Sequence, residues 1–256
     1  MDLGLKGKTA FISGSARGIG KEIARCLAEE GANIIINDIN QEAIAKTVDE
    51  FKKYPVTVLG LCFDVSDEEA VKSNFIVIKE TFGHLDILVN NAGINRDKPI
   101  IELELSEWRK NFSVNLDAMF ICVKEAVKIM KVERNPVIVN GGSFASIIPA
   151  MGYGCYAATK AAVTSFTKSL CGELAGAGIR VVGYIPGVTN TDINKELFAR
   201  EPERMCSQIP LNRIAEPLEV GKVVAFIASE AASYVAGVMV EIDGGKLCVQ
   251  NPNRYR

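Results

Sequence analysis

Short apolar segments alternate along the chain with longer segments in which apolar residues recur every three or four positions. The short segments are rich in β-branched residues and almost continuously hydrophobic, which is typical of parallel strands covered on both faces. The segments with this character are Thr9–Ser13, Asn33–Asn37, Val56–Asp64, Asp86–Asn90, Pro136–Asn140, Ile179–Ile185 and Met239–Asp243. They predict a parallel β-sheet of about seven strands.

The longer segments predict the helices that connect those strands. Asp67 and Ser106 stand where a side chain would cap the start of a helix. The predicted helices are Gly18–Glu30, Asn40–Lys52, Asp67–Phe82, Ser106–Lys131, Tyr156–Ala177 and Pro217–Ser229. Repeated alternation of strand and helix implies right-handed crossovers and a doubly wound α/β sheet flanked by helices. Because no linker or repeat interrupts the pattern, we expect a single domain over residues 1–256.

The stretch from Gly187 to Glu216 is the least regular part of this pattern. It contains Pro202, Pro210 and many polar residues. A loop of this length in a compact domain is usually functional. We therefore expect a lid over a substrate site at roughly residues 187–216.

Composition and charge exclude several classes of function. The formal net charge is −2 and the pI is about 5.7, so we expect no nucleic-acid partner and no polybasic membrane surface. No apolar run reaches the length of a membrane span, and no signal peptide precedes the first predicted strand. The 7 cysteines form no Cys-x-x-Cys pair and His84 is the only histidine, which argues against a metal site and a disulfide framework. We expect a cytoplasmic protein.

The first predicted strand runs into the sequence SGSARGIG, in which Gly14, Gly18 and Gly20 precede a predicted helix. Glycines allow a tight turn and a close approach of the backbone to a ligand. The helix N-terminus adds unpaired N–H groups and a partial positive charge, which suit a diphosphate. Glycine spacing alone is weak evidence, but here a second strand follows the helix and ends in an acid, Asp38. The arrangement predicts a Rossmann fold that binds a dinucleotide.

Asp38 bears on the choice between NAD and NADP. Its carboxylate is placed to accept hydrogen bonds from the adenosine ribose hydroxyls, and it would repel a 2′-phosphate. Arg17, between the glycines, favours the opposite outcome because a guanidinium binds phosphate. Ile39 adds no second cation. We therefore predict NAD as the preferred cofactor, with NADP possible; the alternative role for Asp38 is to cap the next helix.

Tyr156 and Lys160 lie four residues apart in a predicted helix, so their side chains share one face. Taken alone, such a pair is more often structural than functional. Ser143 also fits an ordinary turn serine, with Ser146 as a neighbouring candidate. Asn115 fits a buried amide that satisfies the backbone.

The combination of motifs is more specific than any of its parts. The motifs SGSARGIG, NNAG (residues 90–93), VN (residues 114–115), Ser143, YAATK (residues 156–160) and PGVTNT (residues 186–191) occur in the order and spacing of the short-chain dehydrogenase/reductase family. The sequence resembles this family over essentially the whole chain. The resemblance implies an NAD(P)-dependent oxidoreductase that transfers a hydride between nicotinamide and a secondary alcohol or ketone.

The resemblance implies four catalytic residues. Tyr156 would exchange a proton with the substrate oxygen. Lys160, helped by the nicotinamide cation, would lower the pKa of that phenol and would bind the nicotinamide ribose. Ser143 would bind and orient the reacting oxygen, and Asn115 would hold a water beside the lysine.

The resemblance also implies a cofactor site. Asp64 would contact adenine, and the turn at Pro186 and Gly187 would pass beneath the nicotinamide. Thr191, or alternatively Thr189, would bind the carboxamide or a phosphate. Asn90 would line the same trough or serve a structural backbone bond. The complete predicted set is Gly14, Ser15, Arg17, Gly18, Ile19, Gly20, Asp38, Ile39, Asp64, Val65, Asn91, Ala92, Gly93, Tyr156, Lys160, Pro186, Gly187, Thr189 and Thr191.

Substrate selection is expected from the residues after Ser143, from residues 95–96 and from the lid. The lid arginines Arg200, Arg204 and Arg213 could bind a carboxylate or phosphate, or could be solvated or serve subunit contacts. The segment IIINDI resembles gluconate 5-dehydrogenase-like members, and NNAGINRDKP resembles 3-oxoacyl-carrier-protein reductases. We predict a polyol, sugar or sugar-acid substrate, with the reductase as the alternative.

Two further functions and an assembly remain to be considered. Steroid alcohols are possible substrates, and a non-catalytic nucleotide-sensing protein could use the same fold. The presence of Ser143, Tyr156 and Lys160 disfavours the sensor. The resemblance also implies a homotetramer, paired through the predicted helices Ser106–Lys131 and Tyr156–Ala177 and through the final strand and C-terminal tail.

Overall fold

The computed structural model describes residues 1–191, 201–250 and 252. One sheet of seven parallel strands has the order β3-β2-β1-β4-β5-β6-β7. The strands are β1 Thr9–Ile12, β2 Asn33–Asp38, β3 Val58–Cys62, β4 Ile87–Asn90, β5 Val137–Gly141, β6 Arg180–Pro186 and β7 Met239–Ile242. The order reverses between β1 and β4, and doubly wound folds bind ligands at the carboxyl ends of the strands beside such a reversal. The predicted doubly wound Rossmann fold is confirmed.

Helices cover both faces of the sheet. They are α1 Gly18–Glu29, α2 Gln41–Phe51, α3 Glu68–Phe82, α4 Leu105–Phe112, α5 Ala118–Val127, α6 Gly154–Ala175, α7 Pro202–Ser207 and α8 Pro217–Ala228. Short 3-10 turns lie at Ile100–Glu102, Val132–Arg134, Phe144–Ser146 and Glu230–Ala232. Asp67 caps α3 as expected, since its carboxylate accepts hydrogen bonds from the N–H groups of Glu69 and Ala70 at 3.0 and 3.1 Å.

The predicted helix Ser106–Lys131 is wrong in its start, its end and its continuity. The helix begins at Leu105 because Glu104 and Glu107 form a reciprocal capping box, which leaves Ser106 inside the first turn. A π-helical turn over Ser113–Asp117 joins α4 to α5, and α5 ends at Val127. Such turns are rare in helices and frequent at functional sites. This one contains Asn115.

Successive residues of the central strands point into two different cores. Phe11 of β1 packs on the α3 side, where its ring centre lies 5.2 Å from that of Phe75. Its neighbour Ile12 packs on the other side with Ile23 of α1 and Val224 of α8. Full burial of each such side chain stabilises the fold by about 1.5–3 kcal/mol. The two cores explain why the strands are apolar at consecutive positions.

The expected lid lies partly within the described residues. Its outgoing arm pairs with its returning arm, because the N–H of Asn190 donates to the carbonyl of Ala215 and the N–H of Ala215 donates to that of Val188, both at 2.9 Å. Helix α7 belongs to the returning arm. Residues 192–200, which include Arg200, lie outside the described residues. Nowhere in the described part of the chain does a helix combine the length and hydrophobicity that a membrane span requires.

Candidate active site

The turn between β1 and α1 needs its glycines. Gly14 and Gly18 have φ angles of +61° and +57°, a region that side chains disfavour. A Cβ atom on Gly20 would lie 2.3 Å from the carbonyl oxygen of Gly14 and 2.6 Å from Nδ2 of Asn91. The backbone is therefore pulled close at the N-terminus of α1, as a diphosphate cradle requires.

Asn91 clamps this turn from the end of β4. Its Nδ2 donates to the carbonyl oxygens of Ser13 and Gly14 at 3.0 and 3.1 Å. Ser13 Oγ accepts hydrogen bonds from the N–H groups of Asn91 and Ala92, both at 3.0 Å. The Tyr184 hydroxyl donates to Asn91 Oδ1 at 2.9 Å. The side chain of Asn91 thus shapes the turn and holds no hydrogen left to donate to a cofactor.

Ser15 is a structural residue of the same turn. It is fully buried, its N–H donates to the carbonyl of Asn37 at 2.8 Å, and its hydroxyl donates to the carbonyl of Ile12 at 2.7 Å. Its Oγ also accepts the N–H of Asn37 at 3.1 Å. Both donors of Ser15 therefore serve the protein, and the expectation that Ser15 binds the cofactor stays a prediction. Ser15 ties β2 to the glycine-rich turn.

Asp38 ends β2 at the same edge of the sheet. Its Oδ1 accepts the N–H groups of Ile39 and Asn40 at 2.8 and 3.2 Å. The alternative that Asp38 caps α2 is wrong, because Asn40 is the cap and accepts the N–H of Ala43 at 2.9 Å. Nothing within residues 1–191 and 201–250 hydrogen-bonds to Oδ2, so that oxygen can accept from a ribose hydroxyl.

Asp64 and Val65, expected at the adenine end, differ in accessibility. Asp64 Oδ1 accepts the N–H and the hydroxyl of Ser66 at 2.8 and 2.6 Å, and Oδ2 lies 3.0 Å from the ammonium of Lys110. Burial raises the pKa of Asp64, but the hydrogen bonds from Ser66 and Lys110 outweigh it and hold the pKa below its usual value. The side chain of Val65 is buried in the same core as Phe11, so only its backbone is left for a ligand.

Tyr156 and Lys160 lie on the first two turns of α6. The Lys160 ammonium is 5.8 Å from the centre of the Tyr156 ring and donates to the carbonyl oxygen of Gly141 at 2.8 Å. Lys160 is buried, with 3% of its surface exposed. Burial lowers its pKa to about 8 because desolvation disfavours the ammonium. The lysine is therefore held at the carboxyl end of β5. Its pKa lies close to physiological pH.

Burial dominates the acidity of Tyr156. It raises the pKa of the phenol, the Ser143 side chain opposes this by hydrogen bonding, and Tyr153 adds to the rise. The Tyr153 and Tyr156 rings are in edge-to-face contact with centres 6.3 Å apart. In the protein alone, desolvation of the phenolate is the largest influence on this pKa. The lowering expected from Lys160 together with the nicotinamide cation stays a prediction.

Ser143 follows β5 and faces the tyrosine. It is buried, and its Oγ accepts the N–H of Ala145 at 3.2 Å, which begins the 3-10 turn Phe144–Ser146. The competing candidate Ser146 donates its hydroxyl to the carbonyl of Ser143 at 2.7 Å. Ser146 therefore supports the backbone of Ser143, and Ser143 is the serine that reaches Tyr156.

Asn115 joins two walls of the site from the π-turn. Its Oδ1 accepts the N–H of Ile94 at 2.8 Å, and its Nδ2 donates to the carbonyl of Ile94 at 2.9 Å and to Thr159 Oγ1 at 3.0 Å. A Cβ on Gly93 would lie 3.3 Å from Asn115 Oδ1 and 3.5 Å from the Lys160 ammonium. The side chain is thus a buried amide that satisfies the backbone, the alternative considered from the sequence, and the water expected beside Lys160 stays a prediction.

The residues that follow β6 form the other end of the expected cofactor site. Gly187 must be a glycine, because a Cβ there would lie 2.6 Å from the Cα of Asp243. Thr189 is buried and donates to the carbonyl of Gly187 at 3.2 Å. The Cγ2 methyl of Thr191 lies 3.7 Å from the Cβ position of Gly18. Of the two threonines, Thr191 is the one beside the glycine-rich turn.

The lid arginines within the described residues have acidic partners. Arg204 pairs with Glu201 at 2.6 Å on an exposed surface. Arg213 makes two hydrogen bonds of 2.7 Å to Glu219. Our suggestion that these arginines bind a substrate anion is therefore not supported by their contacts, and Arg200 lies outside the described residues.

Two residues of this site were not predicted. Tyr184 shapes the glycine-rich turn through Asn91, and Thr159 connects Asn115 to α6, where its hydroxyl donates to the carbonyl of Tyr156 at 2.7 Å. The available signal for Tyr184 was a tyrosine inside an otherwise aliphatic strand, because a buried phenol needs a hydrogen-bond partner. Thr159 offered no signal apart from its place between Tyr156 and Lys160.

Known proteins resemble the chain over nearly its whole length. A family model described as enoyl-(acyl carrier protein) reductase matches residues 14–246. The 3-oxoacyl-(acyl-carrier-protein) reductase FabG of Thermotoga maritima is 38% identical over 241 residues, which cover 94% of this chain and 98% of that protein.

Solved structures of sugar-converting enzymes are similar as well. A gluconate 5-dehydrogenase from Burkholderia cenocepacia, in complex with NADP and tartrate, is 35% identical with a TM-score of 0.90 and coverage of 96% of this chain and 97% of that one. The L-sorbose reductase of Gluconobacter frateurii, complexed with NADPH and L-sorbose, is 30% identical with a TM-score of 0.92 and coverage of 97% and 100%.

Proposed function

Because the chain belongs to the short-chain dehydrogenase/reductase family and is an NAD(P)-dependent oxidoreductase of alcohol and ketone groups, we propose that it interconverts a polyol, sugar or sugar acid with its ketone. The observation that carries this proposal is the convergence of Ser143, Tyr156 and Lys160 at the carboxyl end of β5, beside the glycine-rich turn. The reaction class follows from that site, and the substrate class from the sugar-converting structures that match the chain.

The residues present fit a nicotinamide dinucleotide. The turn at Gly14, Gly18 and Gly20, with the N-terminus of α1, would hold the diphosphate. Asp38 would accept the adenosine ribose hydroxyls through Oδ2. Thr191, which lies against Gly18, would reach the diphosphate or carboxamide. Bound there, the cofactor supplies or accepts the hydride.

The protein supplies the proton and the orientation. Ser143 would donate a hydrogen bond to the substrate oxygen and align it with Tyr156. Tyr156 would give its phenolic proton to that oxygen during reduction and take it back during oxidation. The Lys160 ammonium, fixed by the Gly141 carbonyl, would bind the nicotinamide ribose and stabilise the phenolate. Because burial alone raises the pKa of Tyr156, the positive charge near the phenol is needed for proton transfer near neutrality.

We propose NAD as the preferred cofactor. Support comes from Asp38, whose Oδ2 accepts no hydrogen bond within the described residues, at the end of β2, and from Ile39 beside it, 73% exposed and uncharged. A 2′-phosphate would meet that carboxylate unfavourably. The two sugar-converting structures carry NADP and NADPH, which argues for the opposite preference. Rates with both cofactors must therefore be measured.

A second candidate is a 3-oxoacyl-(acyl-carrier-protein) reductase. Its support is the 38% identity to the Thermotoga maritima protein and an apolar rim after Ser143. Ile147, Ile148 and Met151 of this rim are 49%, 51% and 99% exposed. Exposed apolar side chains beside a site suit an acyl chain better than a polyol.

The proposal is tested by reducing matched ketones with NADH and NADPH. L-sorbose and 5-keto-D-gluconate represent the sugar class, and an acetoacetyl thioester represents the acyl class. We expect turnover of a keto-sugar that Tyr156→Phe reduces by at least about 100-fold, the usual size of a general-acid contribution. Turnover of the thioester alone would reject the sugar class and establish the second candidate.

We further propose a cytoplasmic homotetramer in which residues 187–216 act as a lid. The outer face of α5 carries Phe120, which is 51% exposed, and offers apolar surface for pairing between subunits. Light scattering at micromolar concentration would test the assembly, and a monomer would contradict it.

A further inference from the structure

Lys246 is a half-buried lysine beside the wall that follows the predicted catalytic serine. Its ammonium lies 5.3 Å from the centre of the Phe144 ring and donates to Oε1 of Gln208 at 3.0 Å. Phe144 directly follows Ser143, and neighbouring Cα atoms are about 3.8 Å apart. The charge therefore stands against the residue that directly follows the predicted catalytic serine.

Backbone packing fixes the position of Lys246. The turn that follows β7 packs on the returning arm of the lid, because the N–H of Leu211 donates to the carbonyl of Gly244 at 3.2 Å. On its other side the turn contacts Gly187, whose Cβ position is 2.6 Å from the Cα of Asp243. The C-terminal turn, the lid base and the segment after Ser143 thus meet around the ammonium.

The charge of Lys246 has no paired carboxylate within the described residues. Asp243 is the acid whose charge acts on it, but Asp243 uses its own oxygens to accept the N–H groups of Gly245 at 2.9 Å and Leu247 at 2.7 Å. Burial lowers the pKa of Lys246, with Asp243 opposing. A partly desolvated cation that lacks a counter-ion favours the binding of an anion.

We propose that Lys246 binds a carboxylate at the end of the substrate remote from the reacting carbon, so that the substrate is a sugar acid and not a neutral sugar. This inference rests on the proposed function and names its substrate class. The Phe144 ring supports the ammonium through a cation–π contact, and Gln208 holds it by one hydrogen bond, which leaves two N–H donors for the carboxylate. Lys246 takes the role that the sequence suggested for Arg204 and Arg213.

The test compares 5-keto-D-gluconate with L-sorbose, which differ only by a carboxylate in place of a hydroxymethyl group. We expect Lys246→Met to raise the KM for 5-keto-D-gluconate by about tenfold or more, as for loss of a charged hydrogen bond, and to leave that for L-sorbose within about twofold. Lys246→Arg should retain most of the preference. Lys79→Met, the same charge change on the exposed face of α3, should alter neither constant. Calorimetric binding of D-gluconate to the enzyme–cofactor complex should weaken in parallel.

Three results would overturn the inference. An equal rise in both KM values would assign Lys246 a structural role only. An unchanged KM for 5-keto-D-gluconate would show that Lys246 does not contact the substrate carboxylate. Failure of the unsubstituted enzyme to reduce or bind either sugar, with reduction of an acetoacetyl thioester, would reject the proposed function itself, and this is visible before any substitution is made.

Discussion

The Tyr184 hydroxyl donates a 2.9 Å hydrogen bond to Oδ1 of Asn91, and through Asn91 it reaches the glycine-rich turn. Both donors of the Asn91 amide are committed to that turn, so Tyr184 fixes which way the amide faces. A Cβ on Gly141 would lie 2.9 Å from the same hydroxyl. Tyr184 thus supports the turn expected to hold the cofactor through Asn91, and it lies against Gly141, the residue that accepts the hydrogen bond of Lys160.

Replacing Tyr184 with Phe should weaken cofactor binding more than catalysis. The change leaves Asn91 Oδ1 without its donor, which costs about 1–3 kcal/mol when the group is buried. We expect the Kd for NADH, measured by fluorescence, to rise several-fold while kcat at saturating cofactor changes less. Tyr234→Phe alters a fully exposed tyrosine and serves as the matched control. An unchanged Kd would show that the turn holds its shape without this bond.

Removing the charge of Asp38 should shift cofactor preference toward NADP. In Asp38→Ala the repulsion of a 2′-phosphate disappears and the acceptor for the ribose hydroxyls is lost. We expect the ratio of kcat/KM for NADPH over NADH to rise by at least about tenfold, equivalent to about 1.4 kcal/mol. Glu42→Gln removes one charge from the first turn of the neighbouring helix α2 and should leave the ratio unchanged. A ratio that moves equally in both variants would point to general electrostatics.

The buried ammonium of Lys160 should destabilise the protein at neutral pH. Its pKa is lowered from 10.5 to about 8, so the unfolded chain binds more protons between these values and stability rises with pH across that window. Below pH 8 the full cost of about 3 kcal/mol applies, less about 1 kcal/mol for the hydrogen bond to Gly141. Lys160→Met should therefore be inactive yet more stable by about 2 kcal/mol at pH 7 in urea unfolding.

The pH dependence separates this effect from better packing of methionine. The stability difference between Lys160→Met and the unsubstituted protein should shrink from pH 7 to pH 10, because only the latter loses a proton from residue 160. A difference that stays constant over this range would mean that the lysine is not the titrating group.

Asn115 should act mainly by holding the loop at Ile94 in position beside Lys160. In Asn115→Ala the N–H and carbonyl of Ile94 lose their partners, which costs about 1–3 kcal/mol, and the loop after Gly93 is freed beside Lys160. We expect a lower melting temperature and a lower kcat. Thr159→Val removes the bond that joins Asn115 to α6, together with the bond from the Thr159 hydroxyl to the carbonyl of Tyr156, and keeps both bonds to Ile94, so it should reproduce the loss of kcat with a smaller loss of stability. Full activity in Thr159→Val would show that catalysis does not need the bond between Asn115 and α6.

The sheet was predictable because each strand is a local hydrophobic run, and the crossing helices follow from periodicity. The start of α4 was misplaced because Ser106 is a good cap by composition, whereas the reciprocal pair Glu104 and Glu107 forms the cap observed. The π-turn at Ser113–Asp117 was not predicted, because the apolar residues on either side of it were interpreted as the pattern of one continuous helix. Local patterns record which element forms and only weakly where it ends.

The site residues were predicted from the order and spacing of the motifs. The motifs do not show which residues far apart in the sequence are in contact. Ser15 lies within the glycine-rich motif, but its donors serve Asn37 and Ile12 of neighbouring strands. Tyr184 and Lys246 stand outside the motifs, and their roles follow from partners such as Asn91 and Gln208 that only the tertiary fold brings near. Arg204 and Arg213 lie in the segment from which substrate binding was expected, but their charges are paired with nearby glutamates.

The clamp at Asn91 constrains the order in which the protein can fold. Asn91 lies 77 residues beyond Gly14, whose carbonyl it binds, and Tyr184 lies a further 93 residues along the chain. The glycine-rich turn therefore cannot be locked until β4 and β6 have docked on either side of β5, although the turn itself is among the first segments synthesised. Contacts over such separations form late, because loop closure must precede them. Recovery of NADH binding during refolding should accordingly lag behind recovery of helical signal.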